Sequence, residues 1–250
     1  KQLADLIRFY KPEIILETGT WNGGRAIEMA LASFKNQDSV HYIGFDLFED
    51  ATIHTDHAEF NVKAHNTMEA VEKRFAEFAE HMKEKEDKTF TYELTKGNVR
   101  ETLDKFVKTE ALDEVDFALM GSGNSIETTQ IEYKAFKNIP VVVIDHYFTK
   151  ESDEDESMPP EKYHGAKNVF DSVKTKMVDT EEKDTEGWTI FEEEDSVRKY
   201  ILPSQDKVAG GGHTHLCLFL HDTKLENIPK ELKSVPIIVH PRDCVPRDYI

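Results

Sequence analysis

The sequence predicts an α/β fold built on a doubly wound, mostly parallel sheet of seven strands with an antiparallel hairpin near its C-terminal end. Short apolar runs alternate along the chain with segments of helical periodicity. The first apolar run ends at Glu17 and enters the glycine-containing turn Gly19-Thr20-Trp21-Asn22-Gly23-Gly24. A later run over residues 140–145 is apolar until its last residue, which is typical of a central parallel strand.

The first half of the chain is predicted to contain three strands and four helices. A helix over residues 2–10 is separated by Pro12 from the first strand. A helix over residues 25–34 follows the glycine turn, and a second strand covers residues 40–46. A helix over residues 61–86 shows an apolar stripe of Met68, Val71, Phe75, Phe78 and Met82. The third strand, residues 90–94, leads through Gly97 into a helix that ends at Phe106.

The second half continues the alternation and ends in the hairpin. Strands are predicted at residues 115–120 and 140–145, and helices at residues 125–136 and 163–177. Two further strands, residues 188–192 and 214–221, are expected to close the sheet around a turn of three glycines at 210–212. We assign residues 1–222 to one domain and residues 223–250 to an extended tail.

Length and charge exclude several classes of function. A chain of 250 residues is long enough for one sizeable α/β domain. Its 31 Lys and Arg against 49 Asp and Glu give a net charge of −18, which disfavours nucleic acid as a partner. We expect no signal peptide and no membrane segment, because no apolar run is long enough. Two cysteines, Cys217 and Cys244, fit a reducing compartment, and we predict a cytoplasmic location.

The spacing of the glycine turn distinguishes between ligand classes. A dinucleotide fingerprint requires Gly-x-Gly-x-x-Gly. This chain has Glu17-x-Gly19-x-x-x-Gly23, without the middle glycine. The pattern resembles the first motif of class I S-adenosylmethionine-dependent methyltransferases, in which the turn passes under the methionine part of the cofactor. The resemblance extends from residue 14 to about residue 220, and it implies a Rossmann-like methyltransferase fold with S-adenosylmethionine as the cofactor.

The strand ends supply the candidate cofactor-binding residues. Asp46 ends the second strand, where a carboxylate can accept hydrogen bonds from ribose hydroxyls; the alternative is a surface aspartate that caps a loop. Asn98 matches the position at which the family places Asp or Asn beside the adenine, although Asn is also a good helix N-cap. Trp21 and Phe48 are each either an apolar wall or ordinary packing. The predicted cofactor-binding set is Glu17, Gly19, Thr20, Trp21, Gly23, Asp46, Asn98 and Gly121.

The end of the fourth strand departs from the branch of the family that the chain most resembles, the small-molecule O-methyltransferase-like branch. That branch runs from Val-Asp-Leu into Asp-Gly-x-His-Ser, whereas this chain has Gly121, Ser122 and Asn124 in place of the Asp, Gly and His. In metal-dependent members the Asp binds a divalent cation that lowers the pKa of the acceptor hydroxyl. Because glycine offers no side-chain ligand, we predict a reaction without a catalytic metal and assign no metal-binding residues.

The end of the fifth strand supplies the predicted catalytic residues. Asp145 matches the family's acidic position there, and we predict that it orients His146 as a general base. His213 and His215 share one face of a strand, where they either bind zinc with a third ligand or, as we favour, lie on a solvent face. The acidic run at residues 151–156 is predicted to be a solvated loop, with a lid over the site as the alternative.

The predicted function is methyl transfer from S-adenosylmethionine to an oxygen or nitrogen of a small-molecule acceptor. One alternative is a cofactor-binding module of the same fold without transferase activity, suggested by the changed residues at 121–124. Another is a nucleotide-sugar or dinucleotide enzyme, which the glycine spacing opposes. The tail leaves room for a homodimer.

Overall fold

The structure is a computed structural model that describes residues 2–61, 63–109, 112–150, 163–173, 176–177, 191–192, 197–202, 206–208 and 212–221. The acidic run at residues 151–156 and the tail at residues 223–250 lie outside these ranges. Their predicted roles as loop, lid and dimer contact therefore stay predictions.

The described ranges contain helices and strands in alternation. The helices are α1 (Gln2–Tyr10), α2 (Gly24–Ser33), α3 (Ile53–Ala58), α4 (Met68–Glu86), α5 (Val99–Thr109), α6 (Ile126–Phe136) and α7 (His164–Ser172). The strands are β1 (Ile14–Thr18), β2 (Ser39–Asp46), β3 (Thr89–Lys96), β4 (Phe117–Met120), β5 (Val141–Lys150), β6 (Lys176–Met177), β7 (Phe191–Glu192), β8 (Arg198–Ile201), β9 (Asp206–Val208) and β10 (Gly212–Leu220).

Seven of these strands form the core of one sheet in the order β3-β2-β1-β4-β5-β10-β8. The first five are mutually parallel, and β10 runs antiparallel to both β5 and β8. The short strands β7 and β6 extend the sheet beyond β8, and β9 pairs with β10. The predicted doubly wound, mostly parallel sheet is therefore confirmed. The strand order reverses between β1 and β4, and ligands of open α/β sheets bind at such a switch point.

Helices cover both faces of the sheet. The side chains of α1, α2 and α4 form one buried cluster with one face, and those of α5, α6 and α7 form a second cluster with the other. The consecutive residues Ile15 and Leu16 of β1 belong to opposite clusters, and neither is exposed. Burial on both faces explains why residues 14–16, 117–120 and 141–144 of the central strands are all apolar.

The antiparallel hairpin is present, but one of its strands was predicted wrongly. β10 pairs with β8, a strand that the sequence analysis did not predict. The predicted strand over residues 188–192 appears among the described residues as β7, which lies on the far side of β8. The cause is Lys199, which is buried in β8 and donates hydrogen bonds to the carbonyl oxygens of Phe170 and Val173 at the end of α7. A buried lysine with such partners does not show as a core position in an apolar pattern.

Several element boundaries also differ from prediction. The helix predicted over residues 61–86 begins at Met68, where the side chain of Thr67 accepts the N–H of Ala70. The separate helix α3 precedes it, capped by Thr52. The helix predicted to reach residue 177 ends at Ser172, and β5 continues past residue 145 to Lys150. No helix in the described part of the chain is long and apolar enough to cross a membrane.

Candidate active site

Two glycines bring the ends of β1 and β4 into contact at the switch point. Gly19 has a φ of +84°, and a Cβ atom added to it would lie 2.6 Å from the carbonyl oxygen of Gly121. The N–H of Gly121 in turn donates to the carbonyl oxygen of Thr18 at 3.0 Å. Gly23 has a φ of +74°, and a Cβ there would lie 2.5 Å from the ring of Phe75. The glycine turn is therefore fixed by sterics, independently of any ligand.

Glu17 places a buried carboxylate at the carboxyl end of β1, and one of its two oxygens has no hydrogen-bond partner. The hydroxyl of Tyr42 donates to Oε2 of Glu17 at 2.6 Å, and Thr20 Oγ1 lies 3.0 Å from the same hydroxyl. The other oxygen, Oε1, is buried and has no hydrogen-bond partner. Burial raises the pKa of Glu17 to about 7, although the charge of Arg25 and the Tyr42 hydroxyl oppose this rise. A buried acceptor that has no partner and lies beside the switch point is suited to a ligand that donates a hydrogen bond.

Asp46 fixes two strained backbone positions, and its carboxylate can still accept hydrogen bonds from a ligand. Its two oxygens accept the N–H groups of Trp21 at 2.7 Å and Phe48 at 2.8 Å. Both residues have left-handed φ values, 52° and 50°, which are uncommon for large side chains. Each carboxylate oxygen has a second lone pair, so the loop-capping role and the predicted ribose contact are compatible. Phe48 is completely buried and belongs to the core.

Asn98 caps a helix at the same edge of the sheet. Its side-chain oxygen accepts the N–H of Arg100 at 3.0 Å, in the first turn of α5. The N–H of the preceding Gly97 donates to the carbonyl oxygen of Asp46 at 2.9 Å. The structure therefore brings Asn98 and Asp46 to neighbouring strand ends, as predicted from their sequence positions.

A β-bulge in the middle of β5 contains both predicted catalytic residues. His215 pairs with Tyr147 and Cys217 with Ile144, so that Asp145 and His146 together oppose a single residue of β10. His146 has a left-handed φ of 67°. Bulges re-aim side chains next to active sites, and such an irregularity cannot be read from alternation. The bulge sets the direction of both predicted catalytic residues.

Asp145 binds Arg25 and the backbone of its neighbour. Oδ2 of Asp145 lies 3.0 Å from Nη1 of Arg25, and Oδ1 accepts the N–H of His146 at 2.8 Å. The ring nitrogen Nε2 of His146 is 3.8 Å from Oδ2, which is longer than a hydrogen bond. Burial acts to raise the pKa of Asp145, but the charges of His146 and Arg25 hold it below its usual range. Arg25 was not among the residues predicted from the sequence.

The described residues 52–61 and 63–67, here called the strap, contact both the glycine turn and the β4–α6 loop. The indole N–H of Trp21 donates to the carbonyl oxygen of Ala64 at 2.8 Å. In the middle of the strap Glu59 accepts the backbone N–H groups of Asn124 and Ser125, both at 3.0 Å, and pairs with Arg100 at 2.9 Å. One carboxylate therefore makes most of the contacts between the strap and the β4–α6 loop.

Replacing Glu59 with alanine is expected to release the strap and to lower the free energy of unfolding by about 2 kcal/mol, because several donors lose a charged acceptor. The matched control is Glu127→Ala, since Glu127 binds the same Arg100 but is 70% exposed. The control is expected to cost less than about 1 kcal/mol. Urea unfolding measures both, and amide hydrogen exchange locates the release. Equal losses in both variants, or unchanged exchange in the strap, would contradict the assignment.

The two histidines of β10 differ in exposure, since His213 is partly exposed and His215 is buried. His215 is only 6% exposed, and its Nδ1 lies 2.7 Å from the carbonyl oxygen of Leu202, so the prediction of a solvent face is wrong for this residue. Its ring also lies near that of Tyr147, which places it in the packed layer beside β5. Among the described residues no group of three or more His, Cys, Asp or Glu side chains is arranged to hold a metal.

The strand order, the crossover between β1 and β4 and the antiparallel β10 define the Rossmann-like fold of class I methyltransferases. Neither a protein-family model nor a curated protein matches the sequence. Among solved structures, the chain is similar to the O-methyltransferase TomG from Streptomyces achromogenes, which is involved in tomaymycin synthesis and was solved in complex with SAM. The TM-score is 0.50 and the identity 16%, over 87% of this chain and 77% of that chain. An O-methyltransferase from Bacillus cereus in complex with SAH has a TM-score of 0.48 and 15% identity over 87% and 78%.

Proposed function

We propose that this protein is an S-adenosylmethionine-dependent methyltransferase that acts on an oxygen or nitrogen of a small molecule. The observation that carries the proposal is the buried Oε1 of Glu17, which has no hydrogen-bond partner and lies at the switch point of the sheet, where β1 and β4 end. Ligands of open α/β sheets bind at such a switch point, and a buried oxygen without a partner is suited to accept a hydrogen bond from one.

The residues present fit the cofactor. Oε1 of Glu17 would accept from the ammonium group of its methionine part, and Asp46 would accept from its ribose hydroxyls. Asn98 and Trp21 belong to the predicted cofactor-binding set and lie at the same edge of the sheet. When bound, S-adenosylmethionine supplies an electrophilic methyl group on a positively charged sulfur. The protein then has to align the acceptor and accept at most one proton.

The proposed acceptor side is formed by Arg25, Asp145 and His146. Asp145 has a lowered pKa and already binds Arg25, so it is a poor proton acceptor at neutral pH. His146 is 29% exposed and sits on the bulge of β5, from which an acceptor could reach its ring. We therefore retain His146 as the proposed general base for acceptors that arrive protonated, with Asp145 as a positioning residue.

The proposal is tested by calorimetric titration with S-adenosylmethionine and S-adenosylhomocysteine. Binding with a dissociation constant in the micromolar range, about −8 kcal/mol, is the expected result. Methyl transfer from labelled cofactor to a library of small acceptors then tests for activity. Absence of binding to either compound would overturn the proposal.

Asp46→Asn is expected to weaken binding of S-adenosylhomocysteine about tenfold, because a charged acceptor for ribose becomes a neutral one. Asparagine keeps an acceptor for only one of the two N–H groups, of Trp21 and Phe48, that Asp46 binds through separate oxygens, so urea unfolding is measured beside the affinity to show that the variant is folded. The matched control is Asp50→Asn, whose side chain is 56% exposed and pairs with Lys96. Calorimetry measures both variants. Unchanged affinity of the Asp46 variant would show that the ribose contact is assigned wrongly.

The remaining parts of the proposal concern partners, location and domain limits. The net charge of −18 supports a small-molecule acceptor over nucleic acid. The cysteine content supports a cytoplasmic location. We also propose residues 1–222 as the catalytic domain and residues 223–250 as a tail available for a homodimer contact.

A further inference from the structure

The residue after β4 and the bulge within β5 lie beside the same positively charged side chain, that of Arg25. Arg25 lies in the first turn of α2, and its Nη1 is 3.0 Å from Oδ2 of Asp145. A Cβ atom added to Gly121 would lie 3.5 Å from the same nitrogen. The guanidinium therefore fills the space just beyond the end of β4, between position 121 and the carboxylate of Asp145.

The residues around this space do not fit a divalent metal ion. A hard cation needs several oxygen ligands, and Gly121 offers no side chain. Asp145 already binds Arg25 and the N–H of His146. A guanidinium would also repel a metal ion placed next to it. In this chain the positive charge of the site is supplied by a side chain that is covalently part of the protein.

We propose that Arg25 is the built-in cation of the site, taking the place of a metal ion and donating hydrogen bonds to an anionic oxygen of the methyl acceptor. This inference rests on the proposed methyltransferase function. The side chain of Asp145 is 9% exposed and that of Arg25 39%, so a buried carboxylate holds a guanidinium that a ligand can still reach. Arginine stays protonated and presents several N–H donors in a planar array.

The chemistry of a guanidinium narrows the acceptor class. A protonated amine would be repelled by Arg25, whereas a carboxylate or a phenolate would be attracted and oriented. As such an oxygen forms its bond to the methyl carbon, the bond between that carbon and sulfur breaks. The products are a methyl ester or ether and S-adenosylhomocysteine. A carboxylate arrives without a proton, so neither Arg25 nor Asp145 has to act as a base.

The metal replacement is tested by restoring the residues that a metal would need. The double variant Arg25→Ser/Gly121→Asp removes the guanidinium and adds a carboxylate beside Asp145. Position 121 has no left-handed φ, and the nearest atoms to an added Cβ are the carbonyl oxygen of Thr18 at 3.3 Å and Arg25 itself. Mn²⁺ is titrated into the wild type, both single variants and the double variant, each saturated with S-adenosylhomocysteine.

The expected result is that the double variant binds Mn²⁺ with a dissociation constant of about 1 mM or lower, while the wild type is at least about tenfold weaker. Binding of Mn²⁺ to the wild type as tightly as to the double variant would overturn the proposal, and so would a folded double variant that does not bind it. A separate assay offers labelled S-adenosylmethionine with carboxylic acids, phenols and primary amines. Methylation of the amines alone would overturn the proposal that the acceptor is a carboxylate or a phenolate. If none of the four proteins binds S-adenosylhomocysteine, the proposed function is overturned. The titration of Mn²⁺ in the absence of S-adenosylhomocysteine then still tests whether Arg25 takes the place of a metal ion.

Discussion

Gly19→Ala is expected to lower the free energy of unfolding by at least about 3 kcal/mol, because the variant combines a clash with backbone strain. A Cβ at residue 19 would lie 2.6 Å from the carbonyl oxygen of Gly121 and 2.8 Å from the backbone nitrogen of Ser122. These are backbone atoms, which cannot move aside as the tip of a side chain can. The φ of +84° adds a conformation that alanine rarely adopts.

The matched control is Gly121→Ala, on the other side of the same contact. Position 121 has no left-handed φ, and the nearest atoms to an added Cβ lie at 3.3 and 3.5 Å. We expect a loss of about 1 kcal/mol or less for this variant. Urea unfolding gives the free energies, and S-adenosylhomocysteine binding is measured on whichever variants remain folded. If the two variants lose equal stability, the contact between β1 and β4 does not have the geometry described.

The parts of the fold that sequence predicted best are those in which burial is simplest. β1, β4 and the first half of β5 are buried on both faces, so their apolar runs are unambiguous. β8 was missed because Lys199 is buried through hydrogen bonds to carbonyl oxygens rather than through an apolar side chain. Such a position depends on the end of α7, about thirty residues away in sequence, which no local pattern contains.

In the site, too, the residues predicted from sequence are those set by local patterns, and the residues missed are those set by contacts far along the chain. Gly19 and Asp46 stand at the ends of strands and Gly23 at the start of α2, and their positions follow from the strand–turn–helix pattern. Arg25 and Glu59 act through partners far along the chain, Asp145 for the first and residues 124–125 for the second. One signal was available for Arg25, since Gly121 leaves room beside Asp145 that a charged group is suited to fill.

The stability of the protein is expected to contain a component that falls as the pH rises, caused by two buried glutamates. Glu132 is completely buried in α6, and its Oε1 accepts from the hydroxyl of Ser122 in the β4–α6 loop. Its Oε2 has no hydrogen-bond partner. Burial raises the pKa of Glu132 to about 7, opposed by the Ser122 hydroxyl, and the pKa of Glu17 is raised to about 7 for the same main reason.

The direction of the effect follows from proton linkage. The folded state holds a proton on each glutamate more tightly than the unfolded state does, so protonation favours folding. The contribution is fully present below the unfolded pKa, and it is lost as the pH rises through about 7. A pKa raised from its ordinary value to about 7 corresponds to about 3 kcal/mol for each residue.

Glu132→Gln is therefore expected to match the wild type in stability near about pH 4 and to exceed it by up to about 3 kcal/mol near about pH 8. Glutamine keeps the oxygen that Ser122 binds but carries no charge. The control is Glu77→Gln on the exposed side of α4, which should leave the difference between the two pH values unchanged. Urea unfolding of all three proteins at both pH values decides the point, and a constant difference between Glu132→Gln and wild type would contradict it.

Cofactor binding separates the roles of the two glutamates. If the ammonium group of S-adenosylhomocysteine donates to Oε1 of Glu17, the complex favours the ionised carboxylate, and the affinity should rise about tenfold between about pH 6 and about pH 8. Glu17→Gln should remove this rise, because its side chain cannot ionise. Glu132→Gln should retain it, because Glu132 bonds to Ser122 and lies in α6 rather than at the end of β1. Loss of the rise in both variants would mean that the pH dependence reflects the stability of the fold and not a contact between Glu17 and the cofactor.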